Sequence, residues 1–228
     1  SYSTIRTQTQ ATSHRKQEGS PMRVFIKPAC LTLAVIITGK VAPADGDSND
    51  ANMKLLKACL TSLHNVDANG LLKDAQSALE AGADINVKDN RSGQTCLMGA
   101  TLRGNTELVR FLLKEGADKT IAEKDGYTPP HGAGFQGRAD IMKILKEEGG
   151  MDVLNEPHKD GFLPFHRACW GNRPGHAETV EYLLSIGADV NALGGDGVDK
   201  TCLEMTKSQD IKAVLKKYGA KEGGGTDL

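Results

Sequence analysis

The segment Thr95-Cys96-Leu97-Met98-Gly99-Ala100 is the strongest indication of the fold, because variants of it recur along the sequence. The later copies are Thr128-Pro129-Pro130-His131-Gly132-Ala133, Leu163-Pro164-Phe165-His166-Arg167-Ala168 and Thr201-Cys202-Leu203-Glu204-Met205-Thr206. A second phrase, first seen as Gly82-Ala83-Asp84, returns in steps of 34, 34, 37 and 32 residues. Periodicity in this range is typical of a protein built from stacked structural repeats.

Local patterns within each repeat predict two helices joined by a tight turn. Thr95 and Thr128 stand where a hydroxyl can cap a helix start. Gly104 and Gly137 fall between the two helical stretches, where a turn favours a residue without a Cβ. Apolar residues in each second helix recur at helical spacing: Leu108, Val109, Leu112 and Leu113; Ile141, Ile144 and Leu145; Val180, Leu183 and Leu184. Gly116 and Gly187 are placed to end these helices in the left-handed conformation.

The recurring segment resembles the T-P-L-H-x-A motif of ankyrin repeats, over about residues 52–221. The resemblance implies an all-α solenoid of about five helix-turn-helix units with short loop and β-turn connections. The expected units are 52–90, 91–124, 125–159, 160–197 and 198–221. The first is degenerate, and the last is short and rich in lysine, as a terminal cap should be. Pro130 predicts a late start for one helix, and an insertion at residues 172–175 alters one edge of the surface.

The first 44 residues are predicted to lie outside the fold. Residues 22–44 read as a signal peptide: a basic start at Met22–Lys27, an apolar run from Ala29 to Thr38, and the small-residue pattern Ala42-Pro43-Ala44. That run is shorter than the roughly 20 residues a membrane span needs. Residues 1–21 are then an upstream or unstructured segment, and residues 45–51 an acidic linker. An organelle transit peptide and a buried strand are the alternatives for the leader.

Localisation follows from the leader: we expect the secretory pathway or secretion, with organelle targeting or the cytoplasm as alternatives. Residues 222–228 are expected to form a flexible tail. Its last three residues, Thr226-Asp227-Leu228, resemble a ligand for a PDZ domain.

The charge of the chain argues against nucleic-acid binding, and its motifs argue against catalytic activity. The chain has 28 basic and 29 acidic residues, and removing the six basic and one acidic residue of 1–44 leaves a net charge of −6 for residues 45–228. A mildly acidic domain is a poor match for DNA or RNA. The sequence has no G-x-S-x-G, P-loop or H-E-x-x-H motif and no set of acid–base residues. We therefore expect no enzyme activity, no cofactor and no metal.

We interpret the cysteines outside the leader and the motif histidines as structural residues. The even number of cysteines outside the leader suggests disulfides in a secreted chain. However, Cys96 and Cys202 hold the same position three units apart, too far to bridge. A bond between Cys169 and Cys202 is open but not expected, so buried free thiols are the prediction. The resemblance implies that His131 and His166 tie the loops of adjacent units together.

The resemblance also implies where a partner protein would bind, since ankyrin partners usually contact the loop tips and the exposed face of each first helix. The corresponding residues are Gln94, Leu102, Arg103, Lys124, Tyr127, Phe135, Gln136, Lys159, Phe162, Arg167 and Trp170. Aromatic residues and arginine dominate interface hot spots. The competing interpretation is that these rings only pack against neighbouring loops.

The predicted function is therefore a non-catalytic adaptor or scaffold that binds another protein through the central units. We expect it to be monomeric in isolation, without a membrane span in the mature chain. The alternative is a structural subunit or spacer of a larger assembly, without a regulated ligand.

Overall fold

The computed structural model describes residues 45–63, 67–195, 197 and 199–221. Residues 1–44, which include the predicted signal peptide, and the tail 222–228 with Thr226-Asp227-Leu228 lie outside the described residues. In the described part the chain forms ten helices and one two-stranded antiparallel sheet.

The helices come in pairs that follow the predicted units. The pairs are α1 (Asp45–Leu60) and α2 (Ala68–Glu80), α3 (Cys96–Arg103) and α4 (Thr106–Lys114), α5 (Pro129–Gln136) and α6 (Ala139–Glu147), α7 (Pro164–Cys169) and α8 (Pro174–Ser185), and α9 (Cys202–Met205) and α10 (Gln209–Lys217). Strands β1 (Leu193–Gly194) and β2 (Lys200–Thr201) join the last two pairs. The predicted all-α repeat solenoid is confirmed.

One hydrophobic core runs through all five pairs. Leu55, Leu97, Leu145, Leu183 and Leu215 are at most 1 % exposed, and each comes from a different unit. The predicted stripes of the second helices face this core, since most of their leucine, valine and isoleucine side chains are buried. Every unit therefore buries its apolar face against its neighbours.

The turn glycines adopt the predicted conformation. Gly104 and Gly137 end α3 and α5 in the left-handed region, with φ of 81° and 64°. Gly116 and Gly187 follow the second helices with φ of 85° and 105°. A side chain with a Cβ is strained in this region, so glycine permits the sharp reversals between helices.

A similar hydrogen bond recurs at three copies of the Gly-Ala phrase, from the backbone of the residue after Gly-Ala to an earlier asparagine. The backbone N–H of Asp84 donates to Oδ1 of Asn52 at 2.7 Å, and that of Asp118 donates to Oδ1 of Asn86 at 2.8 Å. Lys221 repeats the bond with Asn191 at 3.0 Å. Asn86 and Asn191 lie in the loop of the preceding unit, so these two bonds join neighbouring units, whereas Asn52 lies in α1 of the same unit as Asp84.

Two boundaries differ from the prediction. Residues 45–51, expected as an acidic linker, form the first turns of α1. Helix α5 begins at Pro129 and not later, because proline is accepted in the first turn, where its missing N–H has no helical partner.

The prediction of free thiols is wrong. Cys59 and Cys96 form a disulfide with their Cα atoms 5.1 Å apart, and Cys169 and Cys202 form another at 5.7 Å. Each bond joins the first helices of adjacent units, at the two ends of the repeat array. The bridge judged too long, between Cys96 and Cys202, is indeed not formed; each of these cysteines has a nearer partner.

Candidate functional site

A cavity of about 250 Å³ opens between the loops and first helices of three consecutive units. It is lined by Gln94, Met98, Leu102, Glu123, Asp125, Tyr127, Phe135, Arg167 and Trp170, a set that we call the central pocket. Its apolar side chains come from α3, α5 and the end of α7. Its two carboxylates come from the loop that connects α4 to α5.

The repeat itself lines up three of the apolar side chains. Leu102, Phe135 and Trp170 each stand seven residues after the first residue of their motif copy, so stacking the units stacks them as well. Helix α5 packs closely on α3 at Gly132, where a Cβ would lie 3.0 Å from Met98 Cε and 3.2 Å from Leu102 Cδ2. The next unit has Arg167 at the position of Gly132. Gly132 therefore lets α5 pack closely on α3, whereas Arg167 lines the pocket.

Two aromatic rings of the pocket are open to solvent. Phe135 is 54 % exposed and Trp170 is 44 % exposed, which is unusual for large apolar side chains in the described part of the chain. Tyr127 is half-buried and stacks on His158 with ring centroids 4.1 Å apart. Phe162 is also half-buried and meets Trp170 edge to face at 5.1 Å. Two of the four predicted rings are thus exposed, while the other two pack against neighbouring loops.

Arg167 lies beneath the pocket and not on its exposed rim. Its side chain is only 2 % exposed, in contrast to the surface position that the motif register predicts. Its Nη2 donates to both carboxylate oxygens of Asp160, at 2.6 and 2.5 Å. Its guanidinium carbon lies 4.8, 5.2 and 4.4 Å from the ring centroids of Tyr127, Phe162 and Trp170. The ion pair and the cation–π contacts offset the cost of burying the charge.

His158 and Asp160 brace Arg167 from the loop that precedes α7. His158 Nδ1 lies 2.9 Å from Asp160 Oδ1, and its Nε2 is hydrogen-bonded to the carbonyl of Asp125 at 2.9 Å. Burial disfavours the ionised form of Asp160, but hydrogen bonds from Arg167 and His158 outweigh it and lower the pKa of Asp160 to about 2. The carboxylate therefore stays charged opposite Arg167 at all but strongly acidic pH.

Of the two motif histidines, His166 makes the predicted hydrogen bond to the next loop. His166 Nε2 is hydrogen-bonded to the carbonyl of Ala192 at 3.0 Å. His131 is hydrogen-bonded through Nδ1 to Thr128 Oγ1 at 2.8 Å within its own unit, and it also interacts with the backbone of Phe162 in the next loop. Burial, with the charge of Arg167, lowers the pKa of His131 to about 4, so this histidine is neutral near pH 7.

The structure brings together six of the predicted partner-binding residues: Gln94, Leu102, Tyr127, Phe135, Arg167 and Trp170. Arg103 lies in a neighbouring shallow cavity, where its Nε donates to the carbonyl of Leu60 at 2.7 Å. Burial lowers the pKa of Arg103. Phe162 packs behind Trp170, and Lys124, Gln136 and Lys159 do not line the pocket.

Three lining residues were not predicted: Met98, Glu123 and Asp125. The supporting residues His158 and Asp160 were not predicted either. A sequence pattern could have found the two aspartates, because Lys124-Asp125-Gly126-Tyr127 returns as Lys159-Asp160-Gly161-Phe162. A glycine with positive φ in each copy closes a tight loop that holds the aspartate near the following ring.

The described residues contain no group of three or more histidine, cysteine or acidic side chains placed to hold a metal ion. Within residues 45–63, 67–195, 197 and 199–221, no helix has both the length and the apolar character to cross a membrane.

The chain matches the family model "Ankyrin repeats (3 copies)" at residues 63–155 and again at 117–193, together more than half of its length. It is 32 % identical to alpha-latrocrustotoxin-Lt1a of Latrodectus tredecimguttatus over 138 residues, 60 % of this chain and 9 % of that protein. It is 41 % identical over 85 residues to ankyrin repeat and SAM domain-containing protein 6 of Rattus norvegicus, 37 % of this chain and 10 % of that protein. Protein phosphatase 1 regulatory subunit 12A of Rattus norvegicus is 30 % identical over 155 residues, 67 % of this chain and 14 % of that protein. The chain thus spans a small part of these relatives.

Proposed function

Because the chain belongs to the ankyrin-repeat family, we propose that it is a non-catalytic module that binds another protein through the central pocket. Stacked repeats of this kind present extended surfaces to partners, and the chain is in that broad sense a protein-interaction module. One observation carries the finer proposal: Phe135 and Trp170 are exposed at the mouth of a preformed cavity. Exposed aromatic side chains beside a pocket are the features of an interface hot spot.

The network beneath the pocket supports binding and not mere packing. Arg167, Asp160 and His158 link the loops of two units, so the rings of Tyr127 and Trp170 are held before any partner arrives. A surface that is already rigid loses less conformational entropy on association. We expect the isolated protein to be a monomer, with the partner covering both exposed rings.

The test compares two pairs of exposed apolar side chains in the full chain. One variant carries Phe135→Ser and Trp170→Ser, and the control carries Met53→Ser and Leu193→Ser, which are 62 and 48 % exposed but lie outside the pocket. Affinity capture, followed by identification of the bound proteins, is performed with each protein after circular dichroism has shown that its helices are retained.

Partners that bind the wild-type chain and the Met53/Leu193 control, but not the Phe135/Trp170 variant, support the proposal. A partner set that is identical for all three proteins contradicts it and leaves the structural-subunit alternative.

We also propose that the chain passes through the secretory pathway. The support is the pairing of Cys59 with Cys96 and of Cys169 with Cys202, since disulfides persist in oxidising compartments and are rare in the cytosol. Expression of the full chain in secretion-competent cells tests this proposal. We expect secreted protein that begins after Ala44 and has its four remaining cysteines blocked to alkylation; retention of an uncleaved chain with free thiols contradicts it.

A further inference from the structure

The chemistry of the central pocket narrows the class of partner that it can accept. Much of its lining is apolar, with Met98, Leu102, Phe135 and Trp170 around a volume of about 250 Å³. A cavity of this kind favours one large apolar side chain, since burying such a side chain releases water from both surfaces.

The mouth of the pocket is acidic. Glu123 and Asp125 both line it, and among the described residues neither carboxylate is in an ion pair. Glu123 Oε1 accepts hydrogen bonds from the backbone N–H groups of Asp125 at 2.9 Å and Tyr127 at 3.3 Å. The carbonyl of Asp125 is hydrogen-bonded to His158. The loop that carries the two charges is therefore fixed at both ends, and Lys124 between them does not line the pocket.

The positive charge in the pocket is already matched. Arg167 is paired with Asp160 and covered by the rings of Tyr127, Phe162 and Trp170. Its charge therefore does not offset Glu123 and Asp125, and the mouth keeps two negative charges. A ligand with an acidic or phosphorylated group would be repelled, whereas a basic group would be attracted.

We propose that the central pocket binds an extended segment of a partner protein that inserts one large apolar side chain beside a lysine or arginine. The apolar side chain fills the space between Leu102, Phe135 and Trp170, and the basic side chain lies against Glu123 and Asp125. This inference rests on the proposed function of the pocket as a protein-binding site and adds the chemistry of the ligand.

A random peptide library displayed on phage provides the probe, with the full chain as bait. We expect the enriched peptides to share leucine, methionine, phenylalanine or tryptophan next to lysine or arginine. Their affinities are then measured with synthetic peptides at low and high salt. Phe135→Ser with Trp170→Ser should weaken binding by at least about 30-fold, as expected for the loss of hot-spot side chains.

Charge variants separate the acidic mouth from the apolar pocket. Asp125→Asn should weaken binding by about 2- to 5-fold at low salt and by less at high salt, as for an exposed ion pair. Glu123→Gln with Asp125→Asn should weaken it further. Lys124→Gln is the matched control: it changes a charge in the same loop outside the pocket and should leave the affinity equal or slightly stronger. Thermal unfolding shows whether each variant keeps its fold.

Different results would contradict the location of the binding site and the chemistry of its ligand. Some peptides could depend on Phe135 and Trp170 for binding but lack a basic residue, or bind Asp125→Asn as tightly as the wild type. Such peptides would contradict the proposed basic ligand but would still support the pocket as the binding site. An enriched acidic motif does the same. If every enriched peptide and captured protein ignores Phe135 and Trp170, the pocket is not the binding site and both proposals fail.

Discussion

The end junctions and the central junctions of this repeat array are held together by different means. Disulfides join α1 to α3 and α7 to α9, with Cα distances of 5.1 and 5.7 Å. Between α3, α5 and α7 the described residues have no covalent link. Close helix packing at Gly132 and Gly134, and the network around Arg167, join these units instead.

The two kinds of junction reflect the different stabilities of terminal and central units. A terminal unit has a neighbour on one side only, so it buries less apolar surface and unfolds more readily than a central unit. A covalent link to the next unit offsets that weakness. The central units are stabilised from both sides, and they can leave Phe135 and Trp170 exposed for binding.

Loss of the disulfides should have the largest effect on stability. The two bonds span 37 and 33 residues along the chain, and each should contribute about 2–4 kcal/mol by restricting the unfolded state. Urea unfolding of the oxidised and reduced protein measures the loss. Hydrogen exchange should show that α1 and α10 lose protection before α5 does. Equal loss of protection in all helices would contradict the distinction between ends and centre.

Lowering the pH should destabilise the central units, because His131 takes up a proton more readily in the unfolded chain than in the folded protein. Its pKa is about 4 in the folded protein and about 6.5 in an unfolded chain, so between these values the unfolded state binds the extra proton. This contribution to stability is fully present above about pH 6.5 and is lost as the pH falls towards 4, by up to roughly 3 kcal/mol. Unfolding free energies between pH 7 and 4 test this.

His131→Gln is the control for the pH effect. The variant should show a smaller fall in stability across the same range. Part of the dependence of the unfolding free energy on pH should remain, because burial also lowers the pKa of His166. An unchanged slope would show that His131 does not titrate as described.

Gly134→Ala should disturb the packing of α5 on α7. A Cβ at this position would collide with the backbone carbonyl oxygen of Pro164, which cannot move without shifting α7. The expected loss is about 1–3 kcal/mol. Gly70→Ala is the matched helical control, because its Cβ would lie 3.4 Å from the nearest side-chain atom, Asp67 Oδ2. That variant should be unchanged or up to about 1 kcal/mol more stable by thermal or urea unfolding.

Arg173→Ala should have the smallest effect. Arg173 Nη2 donates to the backbone oxygen and to Oε1 of Gln136, both at 3.2 Å and both exposed, so water can replace the protein partners. We expect a change within about 0.5 kcal/mol in urea unfolding. A larger loss would mean that the insertion at residues 172–175 is a third kind of junction in the array.

The repeat register was sufficient to predict much of the site, and the wrong predictions for Arg167 and the cysteines have a common cause. Leu102, Phe135 and Trp170 share one motif position, so counting residues was enough to place them together. The same counting put Arg167 on the surface, because it could not show that Asp160 and three rings would enclose the guanidinium. Cys59 was missed as a partner for Cys96 because its unit has no motif copy from which to count.

Helix caps, turn glycines and apolar spacing are sufficient to predict the helix pairs and their turns, because these signals act within a few residues of one another. The pairing of the cysteines, the burial of Arg167, and the position of Glu123 and Asp125 at the mouth of an apolar pocket emerge only in the folded chain. These features join residues from different units, so they depend on how closely the units stack. Spacing along the chain does not determine that distance, whereas packing at residues such as Gly132 and Gly134 does.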